Sequence, residues 1–334
     1  MPEVKVGLIG FGTVGSGVVR VLQKNSALIE RKTGVKLVLK KVVDRNIEKK
    51  RVVSVERGKL STRAEDVLED KEIGIVIELI GGYSPAKEFI IRALRNGKHV
   101  VTANKALLAR HKEEIFAEAE KAGKKVFFEA SVAGGIPIIL SLTRGLTANN
   151  IESIEGILNG TCNFILTKMG NEGLEYVEAL KRAQELGFAE ADPALDVGGF
   201  DAMHKLVLLS SLAFGRNFEE KDVEVKGISS ITKEQIDEAK KEGKKIKLIA
   251  EARNAGGKMS LKVAPKKIPL SHYLANVDNE VNAVLVKGDF SGEVLFVGKG
   301  AGMDATASAV VADVIEAAKL IAGERRGKEF NWGE

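Results

Sequence analysis

The segment GFAEADPALDVGGFDAMHKL, residues 187–206, is the densest polar constellation in the chain. Glu190, Asp192, Asp196 and Asp201 lie in a flexible stretch that runs into an apolar helical pattern. Asp201 and Lys205 are four residues apart, so on a helix they share one face. Neighbouring carboxylates favour the charged form of a lysine, while burial lowers its pKa toward a range useful for acid–base work. The same residues also fit a solvated acidic loop in which Asp201 merely caps the helix. A calcium loop is a poorer fit, because the acids lack its alternating spacing.

Three further places carry reactive groups. Lys105, in VVTANKALLA, ends an apolar strand-like run and opens a helix-like one. At the C-terminal end of a parallel strand it would face a ligand crevice and could reach a carboxylate or carbonyl. A surface lysine at a helix start is the simpler alternative, though a cation is disfavoured at that helix end. Glu129, in FFEASVAGGIPII, is followed by small residues and Pro137. One carboxylate plus backbone carbonyls suits a hard cation, although spacing alone equally describes a turn with a buried acid. Cys162, in GILNGTCNFIL, could act as a nucleophile toward an aldehyde through a thiohemiacetal, with His204 or His272 as base. Flanked by strand-like apolar residues, it reads better as a buried small hydrophobe. The four histidines, His99, His111, His204 and His272, form no metal-ligand pattern, and adjacent His204 and Lys205 would point about 100° apart on a helix.

Gly10, Gly12 and Gly15 follow an apolar strand-like run (Val4, Val6, Leu8, Ile9) and precede a helical repeat of Val14, Val18, Val21 and Leu22. This context makes the GxGxxG spacing a dinucleotide fingerprint: a tight turn, an open approach for the pyrophosphate, and close helix–strand packing. The second apolar run ends at Asp44, where a carboxylate would accept both ribose hydroxyls and favour NAD. Arg45, with Lys49, Lys50 and Arg51 behind it, could instead bind a 2′-phosphate and favour NADP. NADP is expected to bind, with NAD use left open.

These groups need positioning elements. Apolar runs at 35–43, 73–80, 99–102 and 125–129 alternate with helical patterns at 64–69, 85–96 and 112–122, as in a parallel α/β sheet. A Rossmann-type domain is therefore expected at 1–140. Residues 141–303 read as a second, α+β domain. Its expected elements are a strand and turn over 151–163, helices at 174–186 and 201–214, and strands at 246–252, 260–265, 283–288 and 292–297. The remainder, 304–334, carries a final helix at 305–322. The chain has 334 residues with 51 basic and 46 acidic side chains, a net +5. Lysines and glutamates are interleaved, which describes solvated surface and argues against nucleic-acid binding. One cysteine excludes a disulfide framework and any multi-cysteine metal site. With no signal-like or bilayer-length apolar segment, a cytoplasmic, membrane-free setting is expected. Three glutamines in a chain dense with Lys and Glu hint at a hot habitat.

Taken in order, GFGTVGSGV, TANKALLA, EASVAGGIPII, NGTCNFIL, GFAEADPALDVGGFDAMHKL and GKGAGMDATASAVVADV resemble homoserine dehydrogenases over essentially the whole chain. The acidic segment is the most specific part. The resemblance implies a Rossmann domain plus a substrate and dimerisation domain, with the C-terminal helix returning to the Rossmann part. It implies NAD(P)-linked interconversion of L-aspartate 4-semialdehyde and L-homoserine, on the route to threonine and methionine, by a homodimer. Lys205 would donate the proton to the aldehyde oxygen, and Lys105 would lie by the nicotinamide and substrate. Glu190 would hold the substrate ammonium, Asp201 would orient substrate and lysine, and Asp196 would support them. Glu129 with the carbonyls of Val132, Gly134 and Ile136 matches the family's sodium site. Phe11, Thr13 and Val14 belong to the phosphate turn, and Gly187, Gly300 and Gly302 would touch the cofactor. Ending at Glu334, the chain is expected to lack the threonine-binding regulatory domain of many relatives, and to be monofunctional. Two other readings compete: an acylating semialdehyde dehydrogenase using Cys162, and a dinucleotide sensor without catalysis. The second would need no proton donor such as Lys205.

Overall fold

The computed structural model describes residues 2–323. The chain divides into two units, Met1–Ser131 with Gly302–Glu334, and Val132–Ala301. The divisions fall nine residues before position 140 and two before position 303. Gly135 N–H donates to the Lys299 carbonyl (3.0 Å), tying the segment after Ser131 to the end of the second unit's edge strand. Residues 324–334, the end of the segment expected at 304–334, lie outside the described residues.

In the first unit, β-branched and leucine-rich runs form strands β1 (Glu3–Ile9), β2 (Lys36–Val43), β3 (Leu60–Ser61), β4 (Ile73–Glu78), β5 (His99–Thr102) and β6 (Val126–Phe127). All pair in parallel, in the order β3-β2-β1-β4-β5-β6. The connections diverge on either side of β1 and β4, so the ends of β1, β4 and β5 open a crevice at the C-terminal sheet edge. Helices α1 (Thr13–Thr33), α2 (Glu65–Leu68), α3 (Ala86–Arg95) and α4 (Lys105–Lys121) fill the crossovers. The α1 helix ends at Gly34, whose left-handed φ of 69° lets its N–H close on the Glu30 carbonyl. Val6 and Leu8 of β1 and Val18 and Leu22 of α1 form one core with Val310 and Val314 of the C-terminal helix.

The first unit also buries a histidine, with a measurable consequence. His99, at the start of β5, accepts the Lys125 N–H on Nδ1 (3.1 Å). Burial, aided by the charges of Lys124 and Lys125, pushes its pKa down to about 4. Below its ordinary pKa the unfolded chain takes up the proton and the folded one does not. Stability is therefore expected to fall as pH drops from about 6.5 toward 4, by at most about 3 kcal/mol. Urea midpoints at pH 7.5 and pH 5 measure this, and His99→Gln should flatten the dependence.

In the second unit, β7 (Ile151–Ile157), β8 (Val223–Val225), β9 (Lys244–Ala255), β10 (Lys258–Pro269), β11 (Val281–Gly288) and β12 (Gly292–Lys299) form a mixed sheet in the order β12-β11-β7-β9-β10-β8. Gly256-Gly257, both at positive φ, close the β9–β10 hairpin. The helices here are α5 (Ile138–Leu140), α6 (Gly160–Glu172), α7 (Tyr176–Glu185), α8 (Ala194–Val197), α9 (Phe200–Phe214) and α10 (Lys233–Lys241). On one sheet face, cross-strand partners set Leu295 beside Leu285 and Val297 beside Ala283. Leu295 and Val297 are nevertheless exposed there, at the sheet edge.

The stretch around Asn159 differs from expectation. Residues 151–163 are not strand and turn throughout, because the chain turns helical at Gly160. The Asn159 side chain accepts the Cys162 N–H (2.8 Å) and caps α6. A single polar cap inside an apolar run decides against the strand. The final helix, α11 (Met303–Ile321), packs on α1 within the first unit. A Cβ on Gly17 would sit 2.8 Å from Met303, so only glycine permits this approach.

Candidate active site

The second unit gathers the acidic segment around a buried lysine. The α9 helix begins after Gly199, at φ 85°, and brings Asp201 and Lys205 one above the other. Lys205 Nζ donates to Asp201 Oδ2 and to the Leu158 carbonyl at the end of β7, both at 2.6 Å. The two side chains are about one-tenth exposed. A lysine this deep is tolerated because it is paired and hydrogen-bonded. An ammonium has three donors, and two are used here.

Asn159, which the sequence reading did not single out, organises this cluster. Its Nδ2 donates to Asp196 Oδ1 (2.7 Å) and to Asp201 Oδ2 (2.9 Å), while its Oδ1 caps α6. The readable signal was an Asn directly before the helix-starting GTC. The structure thus brings Asp196, Asp201 and Lys205 together. Glu190 stays outside this network: it is exposed, and its carbonyl accepts from Gln184 Nε2 (3.2 Å). Gly187 is exposed at φ 76°.

Cys162 lies beside the same cluster, fully buried, with Sγ 3.2 Å from the Asp196 carbonyl. Burial, with Asp196 and Asp201 nearby, pushes its thiol well above the ordinary cysteine range. The two histidines considered as bases are engaged elsewhere, His204 with Glu220 (3.2 Å) and His272 with Glu155 (3.3 Å). A thiol held protonated is a poor nucleophile. Cys162→Ala is expected to keep turnover within about threefold and to lose only about 1–2 kcal/mol of stability, as for a small core truncation. Steady-state rates and a urea melt measure the two effects.

A second residue missed from sequence is Asn282 on β11. It is completely buried, and both atoms of its carboxamide lack a hydrogen-bond partner. A Cβ on Gly300 would lie 2.0 Å from that amide, so the Gly300 backbone rests directly on it. Leaving such groups unsatisfied costs about 1–3 kcal/mol each.

In the first unit, the glycine turn is shaped for phosphate. Gly10 has φ 105°, and a Cβ there would lie 2.6 Å from the Leu79 carbonyl; one on Gly15 would lie 2.1 Å from the Gly10 carbonyl oxygen. A Cβ on Gly12 would meet nothing within 4 Å. Gly12 and Thr13 are exposed, and Phe11 and Gly15 are buried. No side chain caps α1, and its first turn, with Thr13 and Val14, holds no acid. Free N–H groups and the helix dipole therefore face open space, which fits a dinucleotide pyrophosphate.

The acid that follows β2 is already engaged within the protein. Asp44 Oδ2 accepts the Phe11 N–H (2.8 Å), and Oδ1 accepts the Asn46 N–H (2.9 Å) and pairs with Arg51 (3.1 Å). The Arg51 side chain is largely buried, stacked over the Phe11 ring at 4.5 Å. It also donates to the carbonyls of Phe11, Asn46 and Lys49. Arg45, Lys49 and Lys50 are exposed.

At the crevice edge, Lys105 is the half-buried first residue of α4. Its cap, Asn104, accepts the Leu107 N–H (3.2 Å) and donates to the Gly82 carbonyl (2.7 Å). Beneath it lies Glu78, a further buried acid the sequence reading passed over. Glu78 accepts the Thr102 hydroxyl (2.7 Å) and the Ile80 N–H (2.8 Å). Burial raises its pKa.

Glu129 sits buried in a 3-10 turn, its N–H donated to Asp313 of α11 (2.8 Å). Burial and the neighbouring charge of Glu129 push Asp313 up to about 8. In the second unit, Val132 and Ile136 are buried, and Gly134 adopts φ 55° against the Gly300 backbone. The Ile136 carbonyl accepts the Ile138 N–H (2.8 Å), which leaves it a second lone pair. Among the described residues no group of three or more His, Cys, Asp or Glu is placed to hold a metal. Gly302 caps α11 at φ 105°.

Comparison with known proteins joins these features. Residues 10–129 match the model for the homoserine dehydrogenase NAD binding domain, and residues 137–315 the model for homoserine dehydrogenase. The chain is 47% identical over 319 residues to homoserine dehydrogenase of Bacillus subtilis (strain 168), an alignment covering 96% of this chain and 74% of that protein. The crystal structure of a homoserine dehydrogenase from Thiobacillus denitrificans superposes with a TM-score of 0.94 at 47% identity, over 98% of this chain and 76% of that one. A hyperthermophilic archaeal homoserine dehydrogenase mutant in complex with NADPH superposes with a TM-score of 0.78 at 28% identity, over 97% and 100% of the two chains. With a parallel dinucleotide-binding sheet, a mixed second sheet and a buried lysine among acids, the chain belongs to the homoserine dehydrogenase family, the NAD(P)-dependent oxidoreductases that interconvert L-homoserine and L-aspartate 4-semialdehyde in aspartate-family amino-acid biosynthesis.

Proposed function

We propose that Lys205 is the acid–base group of this reaction. The observation that carries the assignment is its ammonium, held by Asp201 and the Leu158 carbonyl with one donor unspent. A nicotinamide supplies or accepts the hydride. As the aldehyde is reduced, charge develops on its oxygen, and Lys205 gives that oxygen its third proton; in homoserine oxidation it takes the proton back. Asp201, steadied by Asn159, keeps the lysine aimed, and Asp196 supports Asn159. Lys105 binds beside the nicotinamide and substrate, and Glu190 holds the substrate ammonium. Reduction of NADP and NAD by L-homoserine, followed by the absorbance of the reduced nicotinamide, tests the whole reading. Dinucleotide binding without turnover would reduce the protein to a sensor.

Residues 1–140 serve as the cofactor domain, 141–303 as the substrate and dimerisation domain, and the helix within 304–334 completes the former. Gly10, Phe11, Gly12, Thr13, Val14 and Gly15 bind the pyrophosphate, with Gly187, Gly300 and Gly302 contributing further cofactor contacts and Asp44 lying at the adenosine ribose. Glu129 and the carbonyls of Val132, Gly134 and Ile136 hold a sodium ion, whose charge fixes the turn and enters no chemical step. The enzyme acts as a homodimer in the cytoplasm. Exposed Leu295 and Val297 offer a second copy an apolar edge, and sedimentation equilibrium reads the mass. The free, buried thiol of Cys162 accords with a reducing compartment.

NADP is the favoured cofactor because Arg45, exposed after β2, is free to grip a 2′-phosphate. Arg45→Ala is expected to weaken NADP about 10-fold, the loss of one charge-assisted contact, and to leave NAD nearly unchanged. Equal losses in Kd for both cofactors would mean that Arg45 reads something else.

A further inference from the structure

We propose that Arg51 determines cofactor choice by disarming Asp44, without itself touching the 2′-phosphate. The inference rests on the reading that Asp44 lies at the adenosine ribose. An acid at the end of the second strand normally enforces NAD in two ways: it accepts both ribose hydroxyls, and its charge repels a 2′-phosphate. Asp44 is poorly equipped for either. A carboxylate offers about four lone-pair sites; the Phe11 N–H takes one on Oδ2 and the Asn46 N–H one on Oδ1, and the Arg51 guanidinium lies against Oδ1 as an ion pair. Each oxygen is therefore already engaged before a ribose hydroxyl arrives, which weakens a bidentate grip on two hydroxyls.

The charge is cancelled as well. The Arg51 guanidinium lies 3.1 Å from Asp44 Oδ1, with its side chain only 7% exposed. Partly shielded from water, the pair behaves toward an incoming phosphate as a dipole instead of an anion. Arg51 is itself poorly placed to serve the phosphate. Its Nε donates to the Phe11 carbonyl, its Nη1 to Lys49 and its Nη2 to Asn46, and its face covers the Phe11 ring. These bonds fold residues 44–51 into a closed turn that leaves Arg45, Lys49 and Lys50 exposed around it. The sequence therefore carries an acid of the NAD type that the fold has neutralised from within.

The two arginines differ in how they depend on Asp44, and that separates them. Dissociation constants for NADPH and NADH, by isothermal titration calorimetry on the intact protein, provide a readout independent of turnover. Arg51→Met is expected to weaken NADPH at least 10-fold while NADH holds or tightens, because the charge of Asp44 is no longer compensated. Adding Asp44→Asn to Arg51→Met is expected to restore NADPH to within about threefold of the parent. Adding Asp44→Asn to Arg45→Ala is expected to restore nothing, since Arg45 acts on the phosphate directly. Arg51→Lys keeps the charge but not the carbonyl bonds, and should keep NADPH binding; it guards against loss of the turn's fold. The inference is overturned if the Arg51→Met defect persists in the double variant, if Arg51→Lys is as weak as Arg51→Met, or if both dinucleotides weaken equally. If Asp44→Asn and Arg51→Met leave both constants unchanged, the placement of Asp44 at the ribose fails too, and the inference with it.

Discussion

Lys205→Ala and Lys205→Arg should each lower homoserine oxidation about 10²–10⁴-fold, equivalent to about 3–5 kcal/mol of transition-state stabilisation. Alanine removes the proton donor. Arginine keeps a charge but cannot release a proton, its pKa lying above about 12. The cofactor constants should hardly move, since Lys205 belongs to the acid–lysine cluster of the second unit and the glycine turn to the first. Removing the lysine also strips Asp201 of its buried counter-charge, which can cost about 3–5 kcal/mol of stability. Rates therefore need to be read at a temperature where circular dichroism shows each variant folded. The competing assignment gives the acid role to Lys105. Near-normal turnover in Lys205→Arg, with the loss appearing in Lys105→Arg, would exchange the two.

The glycine turn should separate binding from folding. A side chain at Gly12 would enter open space, so Gly12→Val should melt like the parent. It should nevertheless lose dinucleotide affinity by about 100-fold, because the new methyls would displace phosphate contacts worth about 1.5–3 kcal/mol each. Gly15→Val should do the reverse. Its Cβ would overlap the Gly10 carbonyl oxygen at 2.1 Å, forcing α1 away from β1 at a cost of at least about 1–3 kcal/mol. Thermal midpoints and dissociation constants for the two variants distinguish these outcomes. If Gly12→Val bound NADPH normally, the pyrophosphate would have to lie elsewhere.

Much of this protein is legible along the chain, because its signals are local. Strand runs ending in glycine, in Asp44 and in the turn before Lys105 follow from β-branched composition and turn chemistry, and α1 and α9 from helical repeats. The four-residue spacing of Asp201 and Lys205 already puts them on one face, and the contact is there at 2.6 Å. Even α10, absent from the sequence reading, had its mark: Thr232 and Gln235 form a capping box.

What tertiary structure alone decided is which groups satisfy one another across long stretches of chain. Asn159 joins Asp196 and Asp201 from 37 and 42 residues away, and the Leu158 carbonyl reaches Lys205 across 47. Asp44 and the basic run behind it read as opposed cofactor signals, and only the fold shows Phe11 and Arg51 engaging that acid. Cys162 reads as a buried small hydrophobe with a nucleophile as the alternative, and the burial that holds its proton on decides between them. Propensity, capping and periodicity act over one helical turn or one strand pair, so a sequence states them directly. Burial and hydrogen-bond saturation depend on every element packed around a group, and they convert a residue type into a charge state, a free donor or a spent one.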